Sequence, residues 1–315
     1  MSMLPRIVVL GGSGFVGTHL AAALSAAEWR VFVVTRRRPN ARHLILLPTI
    51  EVIEGNPHDN AAMAALFRGA DAVVNLIGIL HERTPQATFE RVHVDLARNV
   101  VAACRSANVA RLLHMSALNA DRNGPSRYLR SKGEAEEIVM SSGLAWTIFR
   151  PSVIFGREDS FLNMFANVMR RLPVIALAAP NARFQPIHVT DVVRCFMQAL
   201  DDDTTIGRRF NLCGPKIYTL RTLVEYVGEV TALKRPIVPL GPALSDLSAR
   251  MLERLPGPLM TRDNLASMKK DAVCNGALPS PFTFAPDALE AIAPNYLSPS
   301  AMRSRFDLFR SRSGR

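Results

Sequence analysis

The first half of the chain alternates short apolar runs with amphipathic stretches. Residues 7–10 form a strand-like run, and after a glycine cluster an alanine-rich stretch, 15–27, has helical character. Residues 31–34, 51–54 and 72–77 are further strand-like runs. Between about 86 and 107 the residues Phe89, Val92, Leu96, Val100 and Ala103 fall on one helical face. The pattern then predicts a strand over 112–115, a helix over 127–141 and a strand over 145–149, closed by Arg150-Pro151. Strands alternating with helices imply a parallel sheet covered on both faces. The fold class is therefore α/β, a Rossmann-like doubly wound parallel sheet.

Beyond Pro151 prolines and shorter helical patterns dominate, at 161–171, 191–200, 219–230 and 244–255, with sheet-like pieces near 185–189 and 209–212. The expected organisation is a dinucleotide-binding domain over 1–150, to which 182–214 returns. A small, interleaved, mostly helical substrate region takes 151–181 and 215–299. Residues 300–315 carry Arg303, Arg305, Arg310, Arg312 and Arg315 against Asp307 alone, and read as a basic tail.

The first chemistry lies in the turn after the first strand, Gly11-Gly12-Ser13-Gly14-Phe15-Val16-Gly17. Glycines at 11, 14 and 17 permit a tight turn, close approach of backbone amides to a pyrophosphate, and packing of helix on strand. The helix N-terminus adds the positive end of a dipole. Set between a strand and a helix, the motif has the context that dinucleotide binding requires. At the end of the second strand an acid would hold a ribose 2′-hydroxyl, whereas arginine would accept a 2′-phosphate. The chain reads Thr35-Arg36-Arg37-Arg38 there. Guanidinium groups suit a phosphate dianion, so NADP(H) is favoured over NAD(H), with a solvated basic loop as the bland alternative.

Tyr128 and Lys132 stand four residues apart on one face of a helix. A neighbouring cation favours phenolate and suits a tyrosine to acid/base work. Ser116, just past the 112–115 run, sits at a carboxyl strand end, the side of a parallel sheet that faces the ligand crevice. The density of charge on this helix (Arg130, Lys132, Glu134, Glu136, Glu137) predicts a solvated face.

With these motifs the sequence resembles the short-chain dehydrogenase/reductase superfamily, in its extended epimerase/dehydratase-like branch, over nearly the whole chain to about Leu297. The resemblance also rests on 69–75, on Arg150-Pro151-Ser152-Val153-Ile154-Phe155-Gly156 and on Ile187-His188-Val189-Thr190-Asp191-Val192. More narrowly, 115–120 and 126–134 resemble the atypical group containing the nucleotide-binding accessory subunit of respiratory complex I, as do 259–265 and 291–297. The resemblance implies Tyr128 as acid/base, Lys132 on the nicotinamide ribose and Ser116 orienting the substrate. It also implies Asn75, Gly78, Pro151 and Val153 along the cofactor. Asn56 stands where the family usually has an aspartate near the adenine, a departure that alters that contact.

His188 and Asp191 read as a strand-to-helix junction, with Asp191 near the cap. His81 and Glu82, after the fourth strand, are candidates for touching substrate. No metal site is expected. The charge of +11 comes from 38 Lys+Arg against 27 Asp+Glu, and five of the 38 are lysines. Such an excess fits nucleic acid, an anionic surface or an anionic ligand. The arginines are spread along the chain without an aromatic-interleaved basic strand, so no nucleic-acid partner is expected. Hydrophobic residues at 48% and charged residues at 21% exclude wholesale disorder. No apolar run reaches the roughly 18–20 residues of a membrane span, and no cleavable leader is apparent, so a cytoplasmic protein is expected. The four cysteines (Cys104, Cys195, Cys213, Cys274) are scattered and read as reduced, buried residues.

Two functions stay open. One is an NADP(H)-dependent oxidoreductase or epimerase-type enzyme on a hydroxyl/carbonyl substrate. The apolar stretches 172–179, 240–244 and 252–259 hint at a hydrophobic one, a quinone-pathway intermediate among the candidates. The other is a non-catalytic NADP(H)-binding subunit or assembly factor of a respiratory complex, peripheral to the inner membrane, to which the basic tail would contribute.

Overall fold

The computed structural model describes residues 4–82, 84–253 and 260–299. In chain order it contains β1 (Arg6–Leu10), α1 (Phe15–Ala26), β2 (Arg30–Thr35), β3 (Ile50–Glu54), α2 (Asn60–Phe67) and β4 (Ala72–Asn75). Then come α3 (Leu96–Ser106), β5 (Arg111–Met115), α4 (Arg127–Met140), β6 (Ala145–Pro151), β7 (Ile154–Phe155) and α5 (Phe161–Arg171). Next are β8 (Ile175–Leu177), β9 (Arg183–Phe184), β10 (Ile187–His188), α6 (Val189–Asp201), β11 (Arg208–Leu212) and β12 (Tyr218–Thr219). The series ends with α7 (Leu220–Val230), β13 (Ile237–Pro239), α8 (Pro242–Leu252), α9 (Arg262–Ser267), α10 (Leu289–Ile292) and α11 (Pro294–Leu297). The basic stretch 300–315 lies outside the described residues.

Two compact units divide these residues. The first takes those up to Pro151, with Val189–Leu212 and Pro279–Thr283; the second takes Ser152–His188, Cys213–Leu278 and those from Phe284 onward. In the first unit seven strands form one sheet in the order β11-β6-β5-β4-β1-β2-β3, each neighbouring pair parallel. Strand order reverses between β1 and β4, which opens a crevice beyond their carboxyl ends. Near-continuous apolar strands such as Ile7–Val8–Val9–Leu10 are buried on both faces, as a helix-covered parallel sheet requires. One face packs Val8, Phe32, Val73, Leu112 and Ile148 against Phe67 of α2, Leu96 and Val100 of α3, and Val139 of α4. Elsewhere in the unit Phe149 packs at a tilt against Phe196 of α6, ring centroids 4.2 Å apart, and Phe210 meets Phe282 edge-on at 4.9 Å.

The helix expected over 86–107 begins with a π-helical turn, Glu90–Asp95. Its wider turn inserts one residue into the 3.6-residue phase. His93 consequently takes the buried place that regular spacing assigns to Val92, which is only half-buried. The pattern of 60–67 gave no expectation, because its alanines carry little periodicity. The structure makes it α2, with Asp59 Oδ1 accepting the Ala62 N–H at 3.0 Å as the cap.

The second unit has its own core, including Phe155, Leu162, Phe165, Leu177, Leu223, Val224 and Leu289. Here the expectation of four reduced cysteines fails: Cys213 and Cys274 form a disulfide, while Cys104 and Cys195 are free and buried. The partners lie 61 residues apart in sequence, and the fold brings their Cα atoms to 6.1 Å. The segment of Cys274 is held by backbone and side-chain bonds: Gln185 N–H donates to the Ala272 carbonyl, and Cys274 N–H to Gln185 Oε1. No spacing rule reports such a pairing. Among the described residues no helix is long and apolar enough to cross a membrane.

Candidate functional site

The glycine turn joins β1 to α1 in a close-packed loop. Gly11 adopts φ +78°, and a side chain there would meet the Ile77 backbone nitrogen at 3.1 Å. Gly17 has no room at all, since a Cβ would fall 2.2 Å from the Gly11 carbonyl oxygen. Gly14 caps α1 without a side-chain hydrogen bond, and the first turn holds no acid. The leading N–H groups of Phe15, Val16 and Gly17 thus remain for an external anion. Gly12 and Ser13 complete the loop, with Ser13 Oγ donating to Thr35 Oγ1 at 3.4 Å. This bare cradle fits a pyrophosphate.

Arg36, Arg37 and Arg38 follow β2 and are exposed. Glu54, level with Thr35 on the neighbouring strand, accepts the Arg38 backbone N–H at 3.0 Å. An acid therefore does stand near this loop, brought in by β3 rather than by the local sequence. Asn56 is exposed and its Oδ1 accepts the His58 N–H, so its side chain serves the turn that leads to α2.

The catalytic candidates gather around α4. Ser126 caps this helix, accepting the Leu129 N–H at 3.1 Å. Glu82 braces the same end, accepting from both terminal nitrogens of Arg127 at 2.7 and 3.0 Å and from the Phe89 N–H. That engagement makes Glu82 a brace of the helix start. Lys132 is buried, and its ammonium donates to the Met115 carbonyl at 3.2 Å. This bond ties α4 to the end of β5, where Ser116 N–H donates to the Phe149 carbonyl at 2.7 Å. Ser116 Oγ is buried and makes no hydrogen bond. Gly78 lies against the same ammonium, which a Cβ at that position would approach to 3.1 Å. Gly78 thus borders the Lys132 site, Asn75 bonds to His114 and to the Ile77 N–H, Pro151 ends β6, and Val153 falls in the second unit.

The expectation of a solvated face on α4 is wrong for its central turn. Glu136 is 1% exposed and is paired with Arg150, through Nε at 2.7 Å and through a terminal nitrogen, and with Arg209 at 3.4 Å. Burial moves Lys132 down to about 8, against the upward pull of Glu136 one turn on. Charges one turn apart on a helix can thus mark a buried network as well as a wet surface.

Two histidines that no sequence motif marks also belong to this set. Ile79 N–H donates to His93 Nε2 at 3.1 Å, which puts the ring proton on Nδ1. His93 Nδ1 then donates to Ser131 Oγ at 2.8 Å, and Ser131 donates to the Tyr128 carbonyl at 2.9 Å. The His93 ring also meets the half-buried Tyr128 ring edge-on at 5.7 Å, with Phe89 at 5.8 Å on the tyrosine. His114, on β5, receives the Asn75 Nδ2 proton at Nδ1, 3.2 Å away, and its Nε2 has no partner.

Burial, reinforced by the Lys132 charge, lowers His93 to about 2 and His114 to about 3. Both are neutral in the folded chain and titrate near 6.5 when unfolded, so acid favours unfolding as pH falls below 6.5. Each should remove on the order of 1 kcal/mol of stability per pH unit just below 6.5. Urea unfolding of His114→Gln at pH 7.5 and 5 should show a shallower acid loss than the parent. An equal loss would mean His114 is not neutral in the fold.

Asp191, 0% exposed in the first turn of α6, pairs with Arg194 at 3.2 Å. In the second unit His188 Nδ1 lies 3.0 Å from Asp287.

Residues 11–160 match a family described as NAD(P)H-binding. The chain is 29% identical over 269 residues to the NADH-ubiquinone oxidoreductase 40 kDa subunit of Neurospora crassa, covering 84% of this chain and 71% of that one. It is 34% identical over 229 residues to the NADH dehydrogenase [ubiquinone] 1 alpha subcomplex subunit 9 of Mus musculus, covering 71% and 60%. A ceramide reductase of Caulobacter vibrioides is 32% identical over 185 residues, covering 59% and 57%. The chain thus spans less than two thirds of the mouse and Caulobacter proteins. In fold it is similar to Pal from Bacillus thuringiensis, at 17% identity and TM-score 0.73 over 95% of this chain and 99% of that one. A nucleoside-diphosphate-sugar epimerase of Staphylococcus aureus follows at 20% identity and TM-score 0.65, covering 84% and 88%. The chain thus carries an NAD(P)H-binding domain on a fold of the short-chain dehydrogenase/reductase type, and it is similar to the group of the nucleotide-binding accessory subunit of respiratory complex I.

Proposed function

We propose that this protein is an NADP(H)-dependent oxidoreductase acting on a hydroxyl or carbonyl group of a hydrophobic substrate. The observation that carries the reading is Ser116. Its hydroxyl is buried, unpartnered and one residue from the carbonyl that holds the Lys132 ammonium. A buried hydroxyl left unbonded is costly unless a ligand completes it. Gly11, Gly12, Ser13, Gly14, Phe15, Val16 and Gly17 would hold the pyrophosphate, and Arg36, Arg37 and Arg38 the 2′-phosphate. Asn56 would lie by the adenine, and Asn75, Gly78, Lys132, Pro151 and Val153 along the nicotinamide half. A cofactor held by these residues would supply or accept the hydride. Ser116 donates a hydrogen bond to the substrate oxygen, Tyr128 gives that oxygen a proton or takes one from it, and Lys132 provides positive charge one turn away. The ceramide reductase among the relatives supports a lipid substrate.

A second reading, a non-catalytic accessory subunit of a respiratory complex, is favoured by the names of the Neurospora and mouse relatives. Both readings require cofactor binding, and turnover separates them. Calorimetric titration should give tighter binding of NADPH than of NADH. Arg36→Ser/Arg37→Ser should weaken NADPH by about 10- to 100-fold, the value of one or two charge-assisted bonds, and leave NADH unchanged. Equal weakening of both cofactors would remove the 2′-phosphate assignment, and failure of both to bind at millimolar concentration would remove the whole reading. NADPH oxidation against a keto-ceramide, a benzoquinone and a sugar nucleotide then tests catalysis and its substrate class.

A further inference from the structure

Eleven large apolar side chains are exposed among the described residues, and six of them fall in two segments of the second unit. These are Leu172 and Val174, then Val238, Leu244, Leu247 and Met251. The segments are joined by pairing: β8 lies parallel to β13, with Val238 beside Ala176. Ile175 and Leu177 turn inward, whereas Val174, Ala176 and Val238 face solvent, so the pair presents an apolar strip. The Leu240 N–H extends the ladder to the Leu177 carbonyl at 2.9 Å, and Gly241 then caps α8. On α8 the small residues Ser245 and Ala249 are buried, while Leu244, Leu247 and Met251 are 57%, 54% and 64% exposed. An ordinary surface helix does the reverse.

Cations gather on the same segments. Arg170 and Arg171 precede Leu172, Lys234 and Arg235 precede β13, and Arg250 lies on α8. Across 170–176 and 234–251 the one acid is Asp246, and it is paired with Arg250 at 2.8 Å. A second copy seated on this face would set cations against cations. The aromatic anchors common at protein interfaces are absent from both segments. Aliphatic side chains edged by Lys and Arg are instead the composition of a helix lying in a membrane interface.

We infer that this face docks on an anionic lipid surface, with Leu244, Leu247 and Met251 entering the acyl boundary and Arg170, Arg171 and Lys234 among the headgroups. The inference is independent of the catalytic reading. The full chain should co-sediment with phosphatidylcholine vesicles containing phosphatidylglycerol, less with phosphatidylcholine alone, and less as salt rises. The triple variant Leu244→Ser/Leu247→Ser/Met251→Ser should lose about 100-fold in partition, with circular dichroism and thermal unfolding unchanged because the side chains are exposed. Leu247→Glu, a single surface change, should show a smaller loss of the same kind. Wild type that does not bind these vesicles overturns the inference. So does a triple variant that binds like wild type, which would place binding elsewhere, for example in 300–315. A wild-type dimer that the triple variant splits, without vesicle binding, would assign the face to a second copy.

Discussion

Gly17→Val should weaken dinucleotide binding by about 100-fold while leaving most of the sheet intact. The atoms that crowd this position are backbone: a Cβ would lie 2.2 Å from the Gly11 carbonyl oxygen, 2.5 Å from Gly12 Cα and 2.7 Å from the Gly12 carbonyl carbon. Backbone cannot rotate away as the end of a side chain can, so α1 must move off the turn. The same movement takes the leading N–H groups of α1 away from the anion they are aimed at. A displacement on the order of 1 Å is worth about 100-fold where geometry is preorganised, and overpacking of this kind costs about 1–3 kcal/mol of stability. Gly14→Ala is the graded comparison, because its Cβ would meet the same Gly11 oxygen at 3.2 Å, a contact that a shift of a few tenths of an ångström relieves. Calorimetric titration with NADPH and thermal unfolding should rank the proteins wild type, Gly14→Ala, Gly17→Val on both readouts. Wild-type affinity in Gly17→Val would show that the turn does not form the anion site.

Most of the sheet could be read from the chain because its strands are short, apolar and bounded by turns or helices. The glycine turn was equally plain, since its function depends on what a side chain would collide with, and that is written in residue identity. The site around α4 was only half legible. Tyr128, Lys132 and Ser116 stand out by type and spacing, but Glu136 looked solvated because sequence cannot show Arg150 and Arg209 arriving from β6 and β11 to pair with it. His93 was hidden by the π-helical turn, which moves the buried face by one residue. Glu54 reaches the arginine loop only through the register of β3 on β2. Cys213 and Cys274 likewise meet through tertiary structure, without a local pattern. Apart from the π-helical turn, a local feature, the missing information was in each case a long-range contact.

Tyr128→Phe isolates the acid/base step, because it removes one oxygen and keeps the ring. The ring is held by the edge-on contacts with His93 at 5.7 Å and Phe89 at 5.8 Å, neither of which needs the hydroxyl. The backbone bond from Ser131 to the Tyr128 carbonyl is also untouched. Folding and NADPH affinity should therefore match wild type, since Lys132 keeps its bond to Met115 and stays beside Gly78. Turnover of any substrate found in the panel should fall by about 10²- to 10⁴-fold, the usual contribution of a positioned proton donor. His93→Asn offers a contrasting pattern: it loosens the ring and the Ile79 backbone without removing the hydroxyl, so a smaller fall in kcat accompanied by a change in KM is expected. If Tyr128→Phe kept turnover within about tenfold of wild type, proton transfer would have to come from another group and the assignment would fail. If wild type itself turned over nothing in the panel while binding NADPH tightly, the arrangement around Lys132 would serve cofactor retention, and the accessory-subunit reading would take precedence.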